Sequence, residues 1–407
     1  MDAKKVRFSV YLVLFLVPLA AATLQVGADK PYPTPCAALK VASSGDVIEI
    51  DAGLYKGDVC AFYADNLTIR GVNGRAHIDA DGKYAQGKGI WVPKGNNTLI
   101  ENIEFSGAKV PDQNGAGIRQ DGRDLTVRNC YFHDNENGIL GGATGSKMVI
   151  EFSEFARNGY GDGYSHNLYI SRIASLVFRF NYSHDANEGH LLKTRAGVNY
   201  ILYNRLTEES GTGSYEANIP NGGTTYFIGN VIQQGPTTHN STILSYLEEG
   251  RHANNPGTDL YVINNTFVNE RSTGRFINIG SQGLVPAIVT NNILFGPGTL
   301  TNQASAVLTN NLTEDPLFAD LANFDYDLTP HSPAINAGVT PGLSLDRHLL
   351  TPLFHYVQAA CGEERATVQT IDIGAYEWAG RRSAPCVMDK GARAERAVDA
   401  PVLPVVP

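Results

Sequence analysis

Three short segments concentrate side chains able to move protons and hold charge. They read SHNLYISR (165–172), GHLLKTRA (189–196) and SYEANIPNGG (214–223). Aligning His166 with His190 places Tyr169 beside Lys193 and Ser171 beside Arg195. A further step of 23 residues places Glu216 beside Lys193 and Asn218 beside Arg195. If these segments are strands with Leu168, Leu192, Ala217 and Ile219 facing inward, alternation turns Tyr169, Lys193, Arg195, Glu216 and Asn218 outward. Adjacent strands lie ~4.8 Å apart, so all five would share a patch about 10–15 Å across.

Such a patch suits abstraction of the weakly acidic C5 proton of a uronate, followed by loss of an oxygen leaving group. The reaction needs a base, a partner for the carboxylate and a proton for the leaving group. Lys193 is the expected base, because a neighbouring cation disfavours its own charge. Arg195 is the expected bidentate partner of the carboxylate. His190 or Tyr169 would supply the proton. The segment HNSTILSYLEEGRH (239–252) is expected to wall the groove, with Glu248 and Arg251 reaching substrate beside His166, Glu216 and Asn218. The plain alternative is structural: Lys193 and Glu216 as a cross-strand ion pair on a solvated face, and the histidines as buried hydrogen-bonded groups.

Other polar groups carry less. His133-Asp134 and His184-Asp185 follow a repeated phrase at identical offsets and read as turn residues. Asp185 with Glu188, Glu208 with Glu209, or Glu248 with Glu249 could bind Ca²⁺, but no loop has a calcium-loop pattern, and solvated acidic clusters are the simpler reading. No Cys-x-x-Cys or His-x-His spacing suggests zinc, so no metal site is expected.

The elements that must position these residues are announced by a repeat. Asn181, Asn204, Asn230, Asn265, Asn292 and Asn311 occupy the same slot in VFRFNYSHD, YILYNRLTE, YFIGNVIQQ, YVINNTFVN, IVTNNILFG and VLTNNLTED. The steps are 23, 26, 35, 27 and 19 residues. Upstream, Ile103, Cys130 and Ser153 fill the slot. One flanking position holds Ile100, Val127, Ile150, Phe178, Ile201, Phe227, Val262, Val289 and Leu308. The other holds Phe105, Phe132, Phe155, Leu206, Ile232, Phe267 and Leu294, with Ser183 and Thr313 as exceptions. A period of this size signals stacked repeats. A turn of about 24 residues is too short for strand, helix and strand, yet suits three short strands and bends. The expected fold is therefore all-β, a right-handed parallel β-helix with an N-terminal cap. The asparagines are expected to form an internal ladder in which each amide bonds its neighbours above and below. N-x-S/T triplets begin at the ladder residues Asn181 and Asn311 and at Asn264 next to the ladder; ladder positions face inward and are poor glycosylation acceptors.

The ends read differently. Lys4, Lys5 and Arg7 precede an apolar run from Phe8 to Ala22, as in a signal peptide spanning 1–28. Residues 29–60 read as cap and first turn, 61–378 as the solenoid with its closing segment, and the Ala-, Arg- and Pro-rich 379–407 as a disordered tail. The net charge of −9 includes +2 from Asp2, Lys4, Lys5 and Arg7, leaving −11 on the remainder. That acidity argues against nucleic acid as partner, and no segment after the leader is long and apolar enough to span a membrane. A secreted or periplasmic monomer is expected. Cys36 with Cys60, and Cys361 with Cys386, are plausible disulfides in an exported chain, while Cys130 reads as a core thiol.

GDVIEIDAGLY resembles the entry strand of the pectate-lyase-like β-helix superfamily. SPAINAG followed by DIGAYEW resembles the closing motif of many exported bacterial β-helix proteins. The resemblance covers roughly residues 36–378. It implies the fold, in a superfamily that includes lyases, glycoside hydrolases, epimerases, esterases and adhesins; the patch around Lys193 makes a lyase or C5-epimerase acting on an acidic polysaccharide or oligosaccharide the leading reading. A glycoside hydrolase pairing Glu216 with Glu188 or Glu248, and a non-enzymatic carbohydrate-binding β-helix, are the alternatives.

Overall fold

The computed structural model describes residues 21–378 apart from 254, 256 and 368. The first 20 residues of the predicted 1–28 leader, the predicted tail and Cys386 lie outside the described residues, whereas Thr23–Val26, within the predicted leader span, is a parallel strand paired with Val47–Ile50 and buries Val26. The chain coils into a parallel β-solenoid whose candidate face is a ten-stranded parallel sheet. A continuous pair of further sheet arms meets at the bend carrying the repeated phrase.

The register matches the repeat. Ile100, Val127, Ile150, Phe178, Ile201, Phe227, Val262, Val289 and Leu308 are successive Cα partners. Phe105, Phe132, Phe155, Ser183, Leu206, Ile232, Phe267 and Leu294 form a second inward row. The phenyl rings of Phe105, Phe132 and Phe155 stack at 5.0 and 4.9 Å. Such rows fill the interior because alternate residues of each strand face it.

Just before the ladder slot the backbone enters the left-handed region, at Asn102, Asn129, Phe152, Phe180, Tyr203, Gly229, Asn264, Asn291 and Asn310. This turns the chain through the bend. Asparagine and glycine adopt that conformation readily; Phe152, Phe180 and Tyr203 do so against a steric cost. Their rings stack outside the bend at 5.1 and 5.3 Å, and Phe354 packs edge-on against Phe180. The segment after the last turn thus folds back along this corner.

The ladder is continuous. The Nδ2 of Asn181, Asn204, Asn230, Asn265 and Asn292 each donates to the Oδ1 of the next asparagine at 2.9–3.1 Å. Each also donates to a backbone carbonyl of the preceding turn. Upstream, Ser153 extends the row by accepting from the Cys130 backbone N–H. A second internal ladder, Asn135–Asn158–Asn167, escaped the sequence reading. Its signal was the 23-residue step from Asn135 to Asn158.

Near the N-terminus a short helix spans Pro35–Leu39, with Thr34 as N-cap and proline at its first position. Cys36 is disulfide-bonded to Cys60, as expected. Cys130 is free and buried.

Candidate active site

Tyr169 lies on the strand Leu168–Ile170, Lys193 on Lys193–Thr194 and Asn218 on Ala217–Ile219. Tyr169 is the Cα partner of Lys193, as the spacing predicts. The next step differs from the expectation. Lys193 pairs with Asn218, not Glu216, so the turn is 25 residues long. Ser245 continues the row beside Asn218.

Glu216 therefore corrects an expectation. It precedes its strand, where alternation no longer constrains direction, and it is fully buried. Gln234 Nε2 donates to its Oε2 at 3.2 Å, while Oε1 has no hydrogen-bond partner. Burial, and next the nearby Glu208, hold its pKa well above the ordinary 4.5. Glu208 is buried too, with its pKa raised by burial and then by Asp185. The proposed Lys193–Glu216 ion pair is absent, and Glu216 cannot face a substrate with Glu188 or Glu248.

Lys193 and Arg195 flank Tyr169. The Lys193 ammonium lies 5.1 Å from the tyrosine ring centre, and the Arg195 guanidinium 5.5 Å. Glu249 is the nearest ion-pair partner of Lys193, at 3.9 Å. Burial and then the Arg195 charge lower the Lys193 pKa, against the opposing pull of Glu249 and Glu248.

Arg195 is not a free fork. Its Nη1 and Nη2 donate to the two carboxylate oxygens of Glu249 at 2.6 and 3.0 Å, and Nη1 also donates to Asn221 Oδ1. Nε donates to the Tyr169 hydroxyl at 2.8 Å. Burial disfavours its charge, but the bonds to Glu249 and Tyr169 more than offset this. With its oxygen accepting from Arg195, Tyr169 keeps its own hydroxyl proton to donate elsewhere.

Glu248 roofs the row. It accepts from Asn218 Nδ2 at 2.6 Å, Tyr215 Oη at 2.7 Å and Ser245 Oγ at 2.6 Å. That is why Asn218, although on the outward row, is fully covered. Arg251 is exposed, and its Nε donates to the Asn255 carbonyl at 3.4 Å. The acidic pairs weighed for calcium do not converge on a common point. Glu208 is buried while Glu209 pairs with Arg205, Glu248 and Glu249 take different partners, and Asp185 binds His184 and the Ser210 backbone.

His166 and His190 are buried, with rings stacked at 4.3 Å. The backbone N–H of His190 donates to His166 Nδ1, and that of Tyr215 to His190 Nδ1, at 3.1 and 3.3 Å. Both rings are thus acceptors at Nδ1 and carry their proton on Nε2. Burial, then the Lys193 charge, lowers the His190 pKa to about 3, so it is neutral. Gly189 allows this approach: a Cβ there would lie 2.1 Å from the Ser165 carbonyl oxygen.

An open groove of about 340 Å³ adjoins the cluster, lined by Gly142, Thr144, Tyr169, Ser171, Arg172, Arg195 and Glu249. Arg172 is exposed and has no ion pair among the described residues. Tyr215, Asn221, Arg172 and the role of Glu249 escaped the sequence reading. The loop following Tyr246 brings the glutamates back over earlier turns, and spacing alone gives no sign of this. A larger cavity of about 550 Å³ on another face is lined by Tyr182, Arg205, Glu209, Tyr326 and others, with Arg205 committed to Glu209.

Residues 52–232 match the family model described as a right handed beta helix region. No curated protein matches the sequence. Among solved structures, pectate lyase Pel9A aligns with a TM-score of 0.59 at 15% identity, covering 88% of this chain and 97% of its own. An alginate lyase from Paenibacillus sp. str. FPU-7 aligns with a TM-score of 0.45 at 12% identity, covering 72% of this chain and 99% of its own. The chain is a right-handed parallel β-helix protein, similar in fold to pectate lyase Pel9A.

Proposed function

We propose that this protein acts on a uronate-containing polysaccharide by abstraction of the C5 proton, with β-elimination as the outcome. The observation that carries this reading is Lys193. Its amine is partly desolvated, sits against Tyr169 and beside Arg195, and has its nearest carboxylate oxygen at 3.9 Å, beyond normal hydrogen-bond range. Those surroundings favour the neutral, basic form. Lys193 takes the proton. Tyr169, oriented by Arg195, protonates the leaving oxygen. Because Glu249 occupies Arg195, Arg172 is the guanidinium placed to meet the substrate carboxylate. His190 is a positioning residue, its buried neutral ring stacked on His166 and accepting from the Tyr215 backbone N–H. The fold shared with a protein titled a pectate lyase supports the substrate class. The predicted leader and the Cys36–Cys60 disulfide support action outside the cytoplasm.

The test is ultraviolet absorbance of the unsaturated product after incubation with alginate, pectate, glucuronan and glycosaminoglycans, with and without calcium. A rise with one polymer, lost in Lys193→Ala, is expected. Hydrogen exchange at C5 without chain cleavage would identify an epimerase, which shares the first step. Neither signal on any polymer would leave a carbohydrate-binding β-helix as the reading.

A further inference from the structure

On another face of the solenoid, near its N-terminal end, three polar side chains from successive turns converge. His77, Glu104 and Tyr131 are Cα partners in one row, and Ser106 and His133 are partners in the row two residues along. His77 Nδ1 lies 3.3 Å from Glu104 Oε1, and His133 Nε2 lies 3.1 Å from the same oxygen. One ligand atom from each of the three residues falls within 4.8 Å of the others. We propose that His77, Glu104 and His133 bind a divalent transition-metal ion, zinc by preference, and so clasp three turns.

The distances suit that ion. With bonds of ~2.0–2.2 Å, a tetrahedral centre holds its ligand atoms about 3.3–3.6 Å apart. The observed 3.1 and 3.3 Å need only a small outward shift. Two imidazoles and one carboxylate are a donor set that zinc accepts, leaving the fourth position for water. The three side chains are 28%, 24% and 15% exposed, so an ion can enter and a water can remain.

The outer partners point the same way. His133 Nδ1 lies 2.6 Å from Asp134 Oδ2, and Asp134 is gripped by Arg157 at 3.0 and 3.1 Å. His77 Nε2 lies 2.7 Å from Ser106 Oγ. Each ring therefore has a partner for its far nitrogen and can present the lone pair of its near nitrogen to the cation. Such bonds orient and sharpen metal-binding histidines. Without a cation, one carboxylate oxygen has to satisfy both near nitrogens.

The molecule contains its own control. His184 repeats the corner: Nδ1 lies 2.8 Å from Asp185 Oδ2, Nε2 lies 3.2 Å from Glu154 Oε1, and Tyr182 stacks on the ring as Tyr131 does on His133. Where His77 adjoins Glu104, however, Tyr131 adjoins Glu154. That corner has two ligands and lacks the third.

The test is calorimetric titration of zinc chloride into purified untagged protein stripped with chelator, followed by Co²⁺ absorption spectra. One ion per chain is expected for the wild type, with tetrahedral-type cobalt bands and a raised melting temperature on zinc addition. His77→Tyr copies the His184 corner and should abolish this binding, as should Glu104→Gln. Asp134→Asn should weaken it about 10–100-fold. His184→Ala should leave it unchanged. Circular dichroism establishes that each variant is folded. No saturable zinc binding by the wild type, or undiminished binding by folded His77→Tyr, would overturn the proposal.

Discussion

The asparagine ladder and the Lys193 cluster are products of the same turn-to-turn stacking, yet their polar atoms meet opposite fates. In the ladder every amide repeats the bonds of the one before, and burial is complete from Asn181 to Asn292. No charge is involved, and satisfaction comes from identical residues in register. In the cluster each residue differs from its neighbour, and bonds come from a loop as well as adjacent strands. Arg195 is saturated by Glu249, Asn221 and Tyr169, whereas Lys193 is left with a distant carboxylate and an aromatic face. Uniform pairing makes a spine. Unequal pairing leaves one amine under-solvated, which is what a base requires.

The sharpest way to break this contrast is to remove each centre. Lys193→Ala should lower elimination about 10²–10⁴-fold while leaving the denaturation midpoint unchanged, because a partly exposed side chain adds little to the core. A comparable loss of stability would make Lys193 a structural residue. Asn230→Ala should do the reverse. It strands the Asn204 amide and backbone N–H and the Ile201 carbonyl, and should cost about 2–4 kcal/mol in urea unfolding. An unchanged midpoint would refute the spine.

A smaller effect separates satisfied from unsatisfied buried groups. The pKa values of Glu208 and Glu216 are raised on folding, so the folded state binds their protons more tightly than the unfolded chain. Their contribution is full below the ordinary value of 4.5 and is lost as pH rises above it, toward the folded values. His190 runs the other way: its folded pKa of about 3 makes stability rise with pH up to the ordinary 6.5. The difference between wild type and Glu216→Gln isolates the first trend. The variant should lose part of the decline seen as pH rises, by at most ~1.4 kcal/mol per pH unit. Parallel profiles would show that Glu216 does not titrate with folding.

The smallest expected effect is on the pH profile of catalysis. With Lys193 as the proposed base, the rate should rise with pH to a midpoint below 10.5, since that role uses the neutral amine. Glu249→Gln removes a charge that stabilises the ammonium and should move that limb to lower pH, modestly because Glu249 is 44% exposed. A shift to higher pH would contradict the assigned base.

By itself, the sequence determined the stacked repeat, the two inward rows and the asparagine spine. These are properties of position in a repeat, and strand alternation makes them readable from spacing. Tyr169 beside Lys193 was legible for the same reason. Tertiary structure decided the rest. The seven residues between Glu208 and Glu216 lie outside any strand, where alternation fails, and so Glu216 turned inward. The loop after Tyr246 carried Glu248 over Asn218 and Glu249 to Arg195, two turns back in sequence. His77, Glu104 and His133 met because three turns stacked, with no local motif to mark them. Periodic features are encoded by neighbours in sequence; a site assembled across turns depends on bend lengths and loop paths, which only the packed chain resolves.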